Sequence, residues 1–128
     1  MAVYTKINKK NLSYINRKFK SKKFISFKGI KQGIENTNYL LRTRNEKFIL
    51  TIFEKRVSKK ELPFFMKLMS SLAKSQIKCP KPVETKKGKY LFKLKGKNAC
   101  LVTFLEGKDK NKLNSKECYV IGKNIARL

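Results

Sequence analysis

The sequence predicts an α+β domain: a five-stranded antiparallel sheet with one helix inserted after its third strand and a further helix at each end. Three observations predict it. Five short stretches alternate apolar with polar residues or run apolar throughout, and turn residues bound them. The first three stretches follow one another through short connections, which suits antiparallel neighbours. Apolar residues recur at helical spacing in three other places, near the start, the middle and the end of the chain.

Over residues 8–19, Leu12, Ile15 and Phe19 share one side of a short amphipathic helix. Phe24-Ile25-Ser26-Phe27-Lys28 reads as the first strand and stops at Gly29. The stretch Gly29-Ile30-Lys31-Gln32-Gly33-Ile34-Glu35-Asn36 is then a loop with two flexible points. Residues 38–43 form the second strand, Arg44-Asn45-Glu46 the connection and residues 47–53 the third strand. A helix over 59–75 follows, with Leu62, Phe65, Met66, Met69, Leu72 and Ala73 as a core-facing stripe. Two starts compete for it. Ser58-Lys59-Lys60-Glu61 fits a capping box, whereas Pro63 belongs in a first turn.

Pro80 and Pro82 force an extended crossing. Tyr90, Phe92 and Leu94 then alternate with Leu91, Lys93 and Lys95 as a half-buried strand. Gly96-Lys97-Asn98 turns the chain, and residues 99–105 are apolar enough for a strand buried on both faces. Glu106 to Asn111 has the composition of a linker. In the last helix Asn114 and Glu117 form a capping box and Leu113 and Cys118 a hydrophobic staple. Ile121, Ile125 and Leu128 carry an apolar stripe to the final residue, so this helix reads as cut short. The expected division is residues 1–105 for a sheet lobe and 106–128 for a linker and first helix leading to a further, missing lobe.

A chain of 128 residues, 41% of them hydrophobic, buries one core. No apolar run approaches the ~20 residues of a membrane span, and the N-terminus lacks the apolar stretch of a signal peptide. A cytoplasmic protein with no membrane partner is expected. Cys79, Cys100 and Cys118 are widely spaced with no C-x-x-C pair, and there is no histidine, so a metal site is not expected and the thiols read as buried spectators. The net charge of +25 invites a nucleic-acid reading. Against it, only five of the 33 basic residues are arginine, the side chain that forks onto guanine and phosphate. The lysines are spread along the whole chain, and abundant isoleucine, asparagine, phenylalanine and tyrosine accompany them, as an AT-rich genome would produce. No specific nucleic acid is therefore expected.

A phosphate-binding loop needs backbone N–H groups that an anion can approach closely, hence glycine between two strands. Gly29 and Gly33 meet that need, although G-x-x-x-G also suits an ordinary turn and lacks the full G-x-G-x-x-G of protein kinases. Asp109 is the sole aspartate and lies in the linker, and no histidine opens an H-x-D loop. Kinase chemistry requires one aspartate for the hydroxyl proton and another for magnesium, so no catalytic residue is expected in this chain.

Five antiparallel strands with a helix after the third form the layout of a kinase N-terminal lobe, a fold-level analogy. The segments Phe27-Lys28-Gly29-Ile30-Lys31-Gln32-Gly33-Ile34-Glu35-Asn36-Thr37-Asn38-Tyr39-Leu40-Leu41 and Phe48-Ile49-Leu50-Thr51-Ile52-Phe53-Glu54-Lys55-Arg56 closely resemble the homoserine kinases. These belong to the aminoglycoside phosphotransferase and choline kinase superfamily. Leu62-Pro63-Phe64-Phe65, Cys79-Pro80-Lys81-Pro82-Val83, Val102-Thr103-Phe104-Leu105-Glu106-Gly107 and residues 121–128 resemble that family too. The resemblance implies ATP-dependent phosphorylation of the homoserine hydroxyl, a step towards threonine, with Mg2+ held by a second lobe. By position, residues 29–38 (with Gly29, Lys31, Gly33, Asn36 and Asn38) would lie over the phosphates. Asn36 and Tyr39 match the superfamily's Asn-x-x-Tyr entry to the second strand. Phe104, Leu105 and Glu106 would be the hinge that pairs with adenine, and Val83 and Thr103 would line the adenine pocket.

The sequence departs from the general kinase pattern at two points. Thr51 stands where a lysine usually holds phosphates, and Phe65 falls near the position of that lysine's glutamate partner. Homoserine kinases look similar there. Lys31, Lys55 and Arg56 are the alternatives for a phosphate-holding cation. Choline, methylthioribose and aminoglycoside kinases are the nearest alternatives within the superfamily, and a small basic nucleic-acid module is the alternative outside it.

Overall fold

The computed structural model describes residues 3–55 and 58–128; Arg56 lies outside them. Helix α1 (Lys9–Lys18) opens on a reciprocal cap, in which the Asn8 and Asn11 side chains each accept from the other's backbone N–H at 3.0 Å. The meander follows as β1 (Ser26–Gly29), β2 (Thr37–Arg42) and β3 (Lys47–Ile52). After α2 (Leu62–Lys74), β4 (Leu91–Leu94) and β5 (Lys97–Thr103) complete one antiparallel sheet in the order β1-β2-β3-β5-β4. Helix α3 (Ser115–Ile125) ends the chain, and it begins with the expected Asn114–Glu117 capping box. This is the kinase-like N-terminal lobe that the element order predicts.

Cross-strand register assigns every strand residue to one of two faces. On the first, Tyr39 faces Leu50 and Leu50 faces Leu101, while Leu41 faces Phe48. This face is the main core, sealed by Leu12, Ile15 and Phe19 and by Ile7 from the segment before α1. Phe24, Phe19 and Phe92 form edge-to-face contacts at 6.2 and 5.5 Å, and Phe48 adds another at 5.7 Å from Phe24. On the second face, Met66 of α2 packs on Cys100 and Val102, with Ile49, Phe53, Met69, Tyr90 and Leu91 around them.

Several expectations need correction. The Ser58 capping box does not form: Ser58 contributes only its carbonyl to a turn, and α2 starts at Leu62 with Pro63 in its first turn. The stripe of α2 is narrower than the spacing suggests. Leu62, Met66 and Ser70 are the buried residues, and Phe65 is 42% exposed. The β4–β5 turn is Lys95-Gly96, both at positive φ (50° and 74°), so Lys97 and Asn98 are strand residues. Tyr90 packs with Leu91 on the α2 face rather than with Phe92 and Leu94 in the main core. The cysteines are not uniformly buried either: Cys100 is buried, Cys79 half-buried and Cys118 exposed. Leu113, the other member of the expected staple on α3, is exposed as well.

Candidate functional site

The α2 helix covers the β5 side of the second face and reaches the edge of Ile49 on β3. Towards β1 and β2 that face stays open, with Lys28 exposed and Asn38, Leu40, Ile49 and Thr51 half-buried. Leu40 and Ile49 are cross-strand neighbours and make an apolar row on it, and Val102, the next residue across, is buried under Met66 of α2. Asn38 and Thr51 make a polar pair next to that row, with Thr51 Oγ1 donating to Asn38 Oδ1 at 2.8 Å. By position Thr51 is expected at the nucleotide site, where a kinase usually carries its phosphate-holding lysine. Here it fixes the Asn38 amide.

The 30–36 loop stands at one end of this open face. Ile30 N–H closes its base on Asn38 O at 2.9 Å, and Gly33 takes φ 100°, a conformation that side chains disfavour. Glu54 N–H donates to Asn36 Oδ1 at 3.3 Å. Lys31 and Lys55 are exposed beside the loop and the end of β3. At the other end, beyond β5, lie Phe104, Leu105 and Glu106. Arg42 and Asn38 are four residues apart along β2, so the open face is about 13 Å long.

Residues 104–106 are braced by Lys47, which sequence reasoning missed. Its carbonyl accepts from Phe104 N–H at 3.3 Å, and its Nζ lies 3.0 Å from Glu106 Oε1 and 5.2 Å from the Phe104 ring centroid. Nothing local in the sequence links positions 47 and 106; the link arises because β3 and β5 are neighbours.

Not every expected site residue faces this surface. Tyr39 is buried on the main-core face, and its hydroxyl is held by Thr5 O (2.9 Å) and Ile7 N (3.2 Å). Val83 packs against the main core and pairs its N–H with Leu101 O. Thr103 shares that face through its partner Phe48, and its Oγ1 accepts from Lys81 N at 2.9 Å. Asn36, Asn38 and Thr51 therefore gather at the loop end of the open face, whereas Tyr39, Val83 and Thr103 support the sheet from behind.

Behind the loop sits a polar cluster. Glu54 Oε1 accepts from the hydroxyls of Thr5 (2.6 Å) and Thr37 (2.7 Å), and Glu54 Oε2 pairs with Lys97. Burial pushes the Glu54 carboxyl up, but the bonds from Lys97, Thr5 and Thr37 outweigh it and hold the pKa below the ordinary carboxylate value. A basic cleft of about 470 Å³, lined by Tyr14, Arg17, Lys18, Lys86, Lys89 and Lys93 among others, lies beside α1. Among the described residues no three His, Cys, Asp or Glu come together as a metal site, and no helix is long and apolar enough to cross a membrane.

The profile of the phosphotransferase enzyme family matches residues 26–128. Over all 128 residues the chain is 42% identical to a homoserine kinase of Bradyrhizobium diazoefficiens, and 41% identical to those of Rhodopseudomonas palustris and Methylorubrum populi. It spans 39%, 39% and 40% of their respective lengths. A spectinomycin phosphotransferase solved with ADP and spectinomycin shares the fold. The TM-score is 0.76 at 14% identity, over 96% of this chain and 38% of that one.

Proposed function

This chain belongs to the phosphotransferase enzyme family, and from that premise we propose that it is the N-terminal, nucleotide-binding lobe of a homoserine kinase. The observation that carries the reading is the 41–42% identity to homoserine kinases along the whole chain. The open face supports it physically. A loop shaped by Gly33 stands at one end, and a braced extended segment stands at the other. Between them the half-buried row of Leu40 and Ile49 offers an apolar surface to a planar base.

In this reading adenine stacks against that row and pairs with the backbone of Leu105 and Glu106, because the Phe104 N–H is already engaged by Lys47. The phosphates extend towards residues 29–38, where exposed Lys31 and Lys55 supply positive charge and the Asn38 amide, oriented by Thr51, supplies a neutral donor. Homoserine, magnesium and the groups that move the proton belong to a second lobe following residues 106–128. Among the described residues no three His, Cys, Asp or Glu side chains come together to hold such an ion. Helix α3 buries none of its residues, and its exposed Ile121 and Ile125 share one side, which such a lobe would cover.

Two experiments test the reading. In the complete protein, ADP release is measured with homoserine, choline, methylthioribose and an aminoglycoside as acceptors; preference for any but homoserine overturns the substrate assignment. In the 128-residue chain, calorimetry at physiological salt should find adenosine and ATP binding within about tenfold of each other, with magnesium adding little. A strong magnesium-dependent preference for ATP would show that the phosphate site is complete without a second lobe.

A further inference from the structure

The few residues ahead of a first helix usually fray unless something ties them down. Residues 3–7 are tied along their whole length. Thr37 Oγ1 accepts from both Tyr4 N (3.0 Å) and Thr5 N (3.1 Å), and Tyr39 OH bridges Thr5 O and Ile7 N. Lys95 Nζ donates to Lys6 O at 2.9 Å, and Thr5 Oγ1 is held between Glu54 and Lys97. Thr5 and Thr37 are 7% and 0% exposed, so the bonds from Thr5 N to Thr37 Oγ1 and from Tyr39 OH to Thr5 O are shielded from water.

This segment reaches the 30–36 loop directly. Tyr4 OH donates to Ile34 O at 3.0 Å, beside the Asn36 side chain that Glu54 N–H fixes. It also lies against Gly29, where an added Cβ would stand 3.0 Å from Val3 Cγ2. The missing side chain at Gly29 thus makes room for Val3 on the core side of β1. We propose that residues 3–7 are a strap that sets the conformation of the 30–36 loop, with Tyr4, Thr5 and Glu54 as positioning residues. Its consequence for nucleotide rests on the reading above: the strap holds the loop at the distance from the sheet that the phosphates require.

Trypsin reads this out, because Lys31 lies in the loop and Lys87 lies in a distant exposed turn that serves as an internal control. Under limited digestion, cleavage follows the population of locally opened chain. Tyr4→Phe removes one hydroxyl bond to the loop and should raise nicking after Lys31 about fivefold, as expected for loss of one hydrogen bond. Nicking after Lys87 and the melting temperature should stay unchanged. Thr5→Val should loosen Lys31 as well, and Thr5→Ser, which restores the hydroxyl, should reverse it. An equal rise at Lys31 and Lys87, or none at either, overturns the strap. Added ATP distinguishes this from the function assigned above. If ATP protects Lys31 in the unaltered chain, and Tyr4→Phe raises the ATP needed for half-protection, strap and phosphate site both stand. If ATP never protects Lys31 while Tyr4→Phe still loosens it, the strap stands and the phosphate assignment fails.

Discussion

Replacing Glu54 by alanine is the sharpest test of how this sheet is fastened. The carboxylate receives the Thr5 and Thr37 hydroxyls and the Lys97 ammonium, and its side chain is only 10% exposed. Thr37 is 0% exposed, so its hydroxyl would lose its acceptor where water cannot replace it. Hydrogen bonds to a charged group contribute about 1.5–3 kcal/mol each, but they share one acceptor, and Lys97, at 41% exposed, rehydrates readily. A net loss of about 2–3 kcal/mol follows, or roughly 8 °C in melting temperature for a domain of this size. Glu54→Gln keeps one oxygen for the two hydroxyls and should cost about 1 kcal/mol. The sign of the pH dependence is fixed. A carboxylate whose folded pKa is depressed stabilises fully above its unfolded pKa of about 4.3, and that contribution is lost as pH falls through the folded value. Urea unfolding of the original chain and Glu54→Ala at pH 7 and at successive steps below pH 5 measures the difference. It should be flat down to about pH 5 and shrink below pH 4. A difference under 0.5 kcal/mol at neutral pH, or one that ignores pH, would refute the reasoning.

Other perturbations should separate core, loop and helix. Leu50→Ala, at a fully buried site in the main core, should cost about 3 kcal/mol in urea unfolding, since no neighbouring surface can refill the space. Gly33→Ala should lower stability by about 1 kcal/mol because φ 100° is strained for any side chain, although nothing would touch the new methyl. Gly122→Ala in α3 should do the opposite and raise helix content by circular dichroism, for its added Cβ also meets nothing and its backbone is helical. A thiol reagent at neutral pH should label exposed Cys118 within the native state. Cys100, whose pKa burial pushes up to about 12, should react only on unfolding.

The sheet was legible because its pattern is local. Alternation in residues 38–43 and 47–53 and the apolar run after Asn98 each predict a strand without knowledge of its neighbour. Boundaries set by long-range pairing were less so. Lys97 reads as a turn residue by composition, yet its place opposite Leu94 makes it the first residue of β5 and carries its ammonium to Glu54, 43 positions away. The α2 stripe failed for a related reason. Spacing of 3.6 marks every residue that could face the sheet, but the contact line runs through Leu62, Met66 and Ser70 at intervals of four. Ser70 is buried there because Tyr90 OH lies 3.1 Å from its hydroxyl, which no hydrophobic pattern reveals. The site residues divide in the same way. Gly33 declares itself through backbone geometry. Thr5, Thr37 and Lys47 act through partners far away in sequence, and an ordinary threonine or lysine gives no sign of that until the strands are paired. Polar residues that look interchangeable in the sequence are thus the ones whose functions depend most on the tertiary structure.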